Sequence, residues 1–273
     1  MKVLIAIVSL MAFLALASQA QALQFYADLQ GGLSLPTGAS MSSVFHDNDG
    51  PVQLNGCWKT PGYQGNTGKF GINAGWWFND NPASLLSHFG GNFNFSYNRL
   101  DFQKSTSDFT ATVAPLPHLP NFNFKDILHG AVDFNSRGHL FSLAYLFNYR
   151  QTLGPLELYG GLGPAIFINK QQFSRTNYFI SNDSGKSVAE ATPTKQGFGI
   201  QTDTSVGLMV QVGVKYFLTK NVYTNLSFDY RYFRSNFELA GVGITHDNPG
   251  KFSSALNYSN NLFGINFGAG FQF

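Results

Sequence analysis

Only 12% of the 273 residues are charged and 16% are aromatic, with 29 Gly, 28 Phe and a formal net charge of +2. A soluble domain carries about 25% charged residues, so an ordinary water-soluble fold fits poorly, and so small a net charge excludes the basic stripe of a nucleic-acid binder. No segment beyond the N-terminus approaches the ~18 consecutive apolar residues of a spanning helix, which leaves strands that meet lipid on one side only.

Residues 1–22 read as a signal peptide. Lys2 supplies a positive start, Val3 to Ala17 is almost wholly apolar, and Ala20-Gln21-Ala22 places small residues where a signal peptidase cuts. Export and a mature chain from Leu23 are expected, so residues 23–273 are taken as one domain. Cys57 is the one cysteine; it forms no intramolecular disulfide and lies far from the cleavage site, which excludes lipoprotein processing.

The mature sequence then offers about eight stretches in which apolar residues recur every second position, the signature of a strand with one greasy face. Leu23 to Leu35 sets Phe25, Ala27, Leu29 and Leu33 against Gln24, Tyr26, Asp28 and Gln30. Lys69 to Phe78 alternates Phe70, Ile72, Ala74 and Trp76 with Gly71, Asn73, Gly75 and Trp77. Leu86 to Phe102 sets Phe89, Phe93, Phe95 and Tyr97 against His88, Asn92, Asn94, Ser96 and Asn98. Leu100 and Phe102 break that parity, which points to a slip of register near Arg99.

Gly138 to Arg150 places Phe141, Leu143, Tyr145, Phe147 and Tyr149 opposite Ser142, Ala144, Asn148 and Arg150. In Leu156 to Asn169, Leu158, Leu162, Ile166 and Ile168 oppose Glu157, Tyr159, Gly161 and Asn169, with Pro164 awkward in mid-strand because it donates no ladder bond. Ser205 to Leu218 and Val222 to Arg234 follow the same rule, with Lys215, Asp229 and Arg231 on the polar side. Leu262 to Phe273 closes the series, with Phe263, Ile265, Phe267, Ala269, Phe271 and Phe273 on one face.

Short turns near 79–83, 151–155 and 219–221 alternate with long polar segments near 36–68, 103–137, 170–204 and 235–258. Short and long connections taking turns is the hairpin-and-loop asymmetry of transmembrane barrels. The predicted fold is all-β, a single antiparallel up-and-down barrel of about eight strands with its apolar faces toward hydrocarbon. Trp76, Phe78, Tyr149, Tyr216, Tyr223 and Phe273, beside the short turns, are predicted to form an aromatic girdle. Asp28, His88, Arg150, Glu157, Lys215, Asp229 and Arg231 are predicted to fill the interior as a packed ionic and amide core, since eight strands leave little more room than their side chains occupy. Arg150 and Glu157, flanking one short turn, are the first expected pair.

The terminal strand, with Phe267, Phe271 and a final Phe273, resembles the C-terminal signal strand that the outer-membrane assembly machinery reads. The mature chain as a whole resembles the small outer-membrane β-barrel family of opacity or surface-antigen type. That resemblance implies an integral outer-membrane protein in contact with outer-membrane lipid and lipopolysaccharide, without enzymatic activity or cofactor. Its long loops would serve adhesion, contact with a host or surface ligand, or envelope integrity. A narrow channel for small or hydrophobic solutes is the alternative.

A third reading comes from Asn257-Tyr258-Ser259-Asn260, which resembles the His-x-Ser-Asn segment of outer-membrane lipid A deacylases. Asn257 stands where the base belongs, and a serine without a base is not activated. His46-Asp47-Asn48-Asp49-Gly50 is similar to half a calcium loop but lacks the closing bidentate acid, since Cys57 occupies that position. No metal site is expected. Gly160-Gly161-Leu162-Gly163 opens no helix and so cradles no phosphate; glycines there make room for large interior side chains.

Overall fold

The computed structural model describes the backbone of residues 23–49, 52–57, 65–81, 83–113, 127–182, 194–242 and 251–273, with side chains over 23–37, 65–81, 83–102, 133–174, 198–239 and 255–273. The alternation becomes ten antiparallel strands: β1 Gln24–Asp49, β2 Val52–Cys57, β3 Thr67–Trp77, β4 Phe89–Arg99, β5 Phe102–Val113, β6 Ile127–Leu153, β7 Leu156–Asn182, β8 Thr194–Phe217, β9 Val222–Val242 and β10 Lys251–Gln272. One sheet holds them all and closes on itself where β10 pairs with β1. The ring is eight strands wide. At the end with the short turns it runs β1-β3-β4-β6-β7-β8-β9-β10; further along, β2 and β5 pair with each other and stand between β1 and β6 in place of β3 and β4.

Ladder partners followed once round the wall from Gln24 pass through Trp77, Gly90, Asn148, Gly161, Gln211, Asp229 and Gly264, and return to β1 at Ser34, ten residues on. A stagger of that size over eight strands tilts them by about 40° and leaves an interior that side chains fill. The seam closes at the last residue, where Phe25 and Phe273 exchange backbone hydrogen bonds of 2.9 Å each.

Local chemistry shapes the ends. Gly154 turns β6 into β7 with a φ of 63°, a conformation that glycine adopts without a Cβ clash. Between β3 and β4 lies a single 3-10 turn, Leu85–His88, whose Leu86 N–H donates to Ser84 Oγ at 3.3 Å. Pro164 sits inside β7 with its ladder to β8 intact, while partners to β6 lapse opposite Tyr145 and Leu146. The missing N–H is therefore lost on one side only.

The register near Arg99 does not slip. Arg99 pairs with His139 and Phe102 with Ser136, so β4 and β5 continue one ladder on β6 across a two-residue break, and the shift falls later, between Phe102 and Ser105. Leu100 and Phe102 keep the inward parity of Asn94, Ser96 and Asn98, and all five are buried. What changes there is the chemistry of the interior.

The same change runs round the barrel. Toward the short turns, outward positions such as Leu143, Phe147, Leu162, Val212, Phe228 and Phe267 are exposed and apolar, and inward ones are polar. Further along, outward positions are Asn135, Arg137, Gln172, Arg234, Asn236, Glu238 and Asn257, while inward ones include Phe134, Phe173, Phe237 and Leu256. The two faces switch together on β4, β9 and β10; on β6 and β7 the inside turns apolar a row or two earlier, at Leu146, Ala144, Ala165 and Phe167. In the lower part hydrocarbon solvates the outside, and in the upper part water does, so each part puts its apolar face away from water.

This reversal explains why much of the sequence predicted as connection is strand. β1 runs to Asp49, β7 to Asn182 and β9 to Val242, and β8 and β10 begin at Thr194 and Lys251. His46 to Asp49 continue β1 rather than forming the half calcium loop they are similar to. Residues 1–22, Gly50 and residues 183–193 of the predicted long segment lie outside the described residues.

Candidate functional site

The interior nearest the short turns is an ion cluster ringed by aromatic rings. Glu157, on the first inward position of β7, takes Arg150 Nη1 of β6 on one carboxylate oxygen and Lys215 Nζ of β8 on the other, each at 3.0 Å. All three are at most 6% exposed. The Lys215 ammonium lies 3.7 Å from the centroid of the Tyr26 ring, 4.8 Å from Tyr223 and 5.3 Å from both Trp77 and Tyr159. Arg150 stacks over Trp77 at 4.5 Å, so ring faces supply the negative potential that water would otherwise provide. Asp28 accepts from Tyr223 Oη and from Asn73 Nδ2, both at 3.1 Å.

A second cluster lies further in. Asp229 of β9 is held by Lys69 of β3 and, at 3.0 Å, by its own-strand neighbour Arg231, while Asn266 donates to it at 2.7 Å. Arg231 spends its remaining nitrogens on Asn98 Oδ1 at 2.9 Å and Ser34 Oγ at 3.0 Å, so the cluster ties five strands together across the lumen. Small residues make this possible. A Cβ on Gly213 would stand 2.7 Å from Tyr159 Cζ, and one on Gly270 2.6 Å from Tyr223 Cζ.

Beyond Arg231 the lumen is filled by a buried apolar cluster that includes Leu100, Phe102, Phe134, Leu140, Phe167, Phe173, Met209, Phe233, Phe237, Leu256, Tyr258 and Leu262. Phe167 and Phe233 stack at 4.3 Å and Phe102 and Tyr258 at 4.8 Å. Polar side chains among them pair in places: Ser136 donates to Gln171 Oε1 at 3.0 Å, and Asn169 to Ser235 Oγ at 3.1 Å. Near the short turns a cavity of about 230 Å³, bordered by Gln24, Asp80 and Lys220, stops against Arg150 and Glu157.

The structure thus brings Asp28, Arg150, Glu157, Lys215, Asp229 and Arg231 into the lumen as two clusters. Arg150 and Glu157 meet diagonally across the turn, as their positions beside it suggest. His88 is a correction. It belongs to the 3-10 turn rather than to β4, and there it is held by the Arg150 carbonyl oxygen at 2.9 Å from Nδ1 and by the lipid-side ring of Tyr149 at 5.8 Å. Tyr223 is another. It is fully buried in the lumen, not in the girdle, and its odd position beside Asn225 and Ser227 carries that signal in the sequence. Lys69 was missed as a site residue, although it shares parity with Gly71 and Asn73. Tyr149, Tyr216 and Phe273 are exposed beside the turns, and Phe267 and Phe271 also point outward.

Among the described residues, neither His88 nor His139 lies beside the serine of the deacylase-like segment. Ser259 lies on β10 between Ser40 and Arg234, whereas His139 is on β6 opposite Arg99 and His88 is at the turn end. Among the described residues no group of His, Cys, Asp and Glu is placed to hold a metal ion.

The family described as outer membrane protein beta-barrel domain matches residues 6–273. This chain belongs to that family. Among solved structures, the barrel is similar to the outer membrane protein OprG from Pseudomonas aeruginosa, at 15% identity over 92% of this chain and 96% of that one, with a TM-score of 0.46. It is also similar to Ail, the attachment invasion locus protein of Yersinia pestis (14% identity, 91% and 98% coverage, TM-score 0.32), and to Neisserial surface protein A (17%, 88% and 95%, 0.31). No curated protein matches. As an outer-membrane barrel the chain presents the exposed apolar band to hydrocarbon, and in that architecture short turns are periplasmic and the long β2-bearing end is outside.

Proposed function

We propose that this outer-membrane barrel is closed and non-enzymatic, and that it acts through its outer end in surface attachment or envelope integrity. One observation carries the reading: the lumen is occupied in series, first by clusters of buried ion pairs and then by stacked aromatic rings. Hydrated ions crossing it would have to break buried pairs and then enter an apolar core, two costs that nothing along the path offsets.

Reconstitution of the folded chain in planar bilayers is the test. Silent bilayers, together with loss of surface attachment when residues 114–126, 183–193 and 243–250 are deleted, are the expected outcome. Steady single-channel conductance would contradict the closed lumen, and attachment that survives the deletions would contradict the outer end as its seat.

A narrow path for hydrophobic solutes is the second reading, favoured by the apolar outer half of the lumen. Uptake of an apolar fluorescent probe into cells expressing the barrel, above that of cells without it, would support it over the first.

A further inference from the structure

The outer wall carries a one-sided group of cations where the lipid-facing band ends. Tyr97, Phe141 and Ile168 are neighbours across β4, β6 and β7 and form the last apolar outward row. The next outward row is Arg99, His139 and Lys170, and Arg137 stands one position further out on β6. All four are exposed and border a cavity of about 300 Å³ on the wall. At the same height the outward residues of β8 are Thr204 and Thr202, those of β10 are Asn261 and Ser259, and β1 has Thr37; β9 contributes a single Arg234.

One of these charges, that of Arg99, is paired, and those of Arg137 and Lys170 are not consumed among the described residues. Asp101 takes the Arg99 Nε at 2.7 Å and spends its other oxygen on the Gly138 N–H at 3.1 Å, so it neutralises no further cation. Among the described residues Arg137 and Lys170 have no carboxylate partner. Lys170 leans back over the Phe141 ring at 5.9 Å, which holds its ammonium at the edge of the band. His139 is fixed by Tyr97 Oη at 2.7 Å from Nδ1 and by stacking on that ring. Neighbouring strands are ~5 Å apart, so these groups lie within reach of one doubly charged anion.

We infer that Arg99, Arg137 and Lys170, with His139, bind the phosphorylated headgroup of an outer-leaflet lipid, whose acyl chains lie along Phe141, Leu143, Ile166 and Ile168. The site sits at headgroup height by construction, because the row beneath it is the last to face hydrocarbon. Two guanidinium forks suit phosphate oxygens, and the apolar strip directly below gives a lipid, rather than a free anion, somewhere to put its chains. The inference depends on membrane placement alone and holds whether or not the lumen conducts.

Purified lipid A, the same lipid with its phosphates removed, and inorganic phosphate are titrated against the full folded barrel in uncharged detergent, with bound lipid read by native mass spectrometry. Lipid A binds, and removing its phosphates weakens binding by roughly ten-fold or more, as expected for losing two charge-assisted contacts. That arm needs no altered protein. The double substitution Arg137→Ala and Lys170→Ala produces a similar loss, while Arg234→Ala on the other side of the barrel leaves binding unchanged; heat-modified gel mobility checks that each variant is folded. Equal binding of the two lipids, or of the double variant and the original chain, would overturn the site. Displacement of lipid A by millimolar inorganic phosphate would overturn the lipid as its ligand.

Discussion

Arg231 and Phe233 are consecutive inward-facing residues of β9, both essentially unexposed, and between them the lumen changes from an ion cluster to an aromatic core. One residue further along on the opposite face, Tyr232 gives way to Arg234, where the outside changes from apolar to charged. A single strand therefore serves as a membrane strand below and an ordinary water-facing strand above, with no change of register. The length of the barrel follows from this, since the upper part is stabilised by its own apolar core instead of by lipid.

If the upper core holds the outer end together, truncating Phe233 removes one partner of its closest ring pair. Phe233→Ala should destabilise the folded barrel by about 3–5 kcal/mol, the range for buried Phe truncation. Urea unfolding in lipid vesicles, followed by the mobility of folded and boiled protein, measures it. The outer strands should also become protease-sensitive before the membrane part unfolds.

Asp229 pairs with two cations at once, so its loss should cost more than the loss of either. Asp229→Ala leaves Lys69 and Arg231 facing each other in a buried site, at a cost of about 3–5 kcal/mol. Lys69→Met, which leaves the Asp229 and Arg231 pair in place, should cost clearly less. The same unfolding titration ranks them, and the reverse order would mean that Lys69 and not Asp229 is the centre of the cluster.

The glycines beside the aromatic cage test how full the lumen is. Gly213→Val would drive a side chain into the Tyr159 ring, whose nearest atoms are 2.7 Å from where a Cβ would stand. A loss of about 1–3 kcal/mol is expected for overpacking. An unchanged midpoint would show spare room and weaken the case for a closed lumen.

Much of the lower barrel is legible in the sequence because two signals agree there. Apolar residues recur at period two, and the intervening positions carry the charges and amides that face in, as with Asp229 and Arg231 on β9. The upper barrel is harder to read because the same period persists with the faces exchanged. Phe237 and Leu239 alternate with Asn236 and Glu238, but they now point inward, so a search for a lipid-facing stripe stops at Arg234. Residue type misleads where it competes with parity. Tyr223 reads as a girdle aromatic, yet its position aligns it with Asn225 and Ser227 inside. His88 fails for a local reason, since parity extended backward from Phe93 crosses from strand into the 3-10 turn, where period two no longer applies. Pairings across the lumen such as Lys69 with Asp229 depend on the stagger of the ring, which only the closed structure supplies.

The lipid-facing band has a sharp prediction of its own. Val212, half exposed near the middle of the β8 band, should resist a lysine by about 2–4 kcal/mol. Asn236→Lys, beyond the band on β9, should be close to neutral. Refolding free energies in vesicles of one fixed lipid decide between them, and equal costs would place both in the same solvent.

The reversal of the two faces is tested most directly by walking a nitroxide spin label along the outward positions of β9 in lipid vesicles. Labels at 226, 228, 230 and 232 should be relaxed by oxygen and shielded from a water-soluble nickel complex, and labels at 234, 236 and 238 should show the opposite. If nickel reached position 228 as readily as position 236, hydrocarbon would not be the solvent of the lower face, and the account built on it would fail.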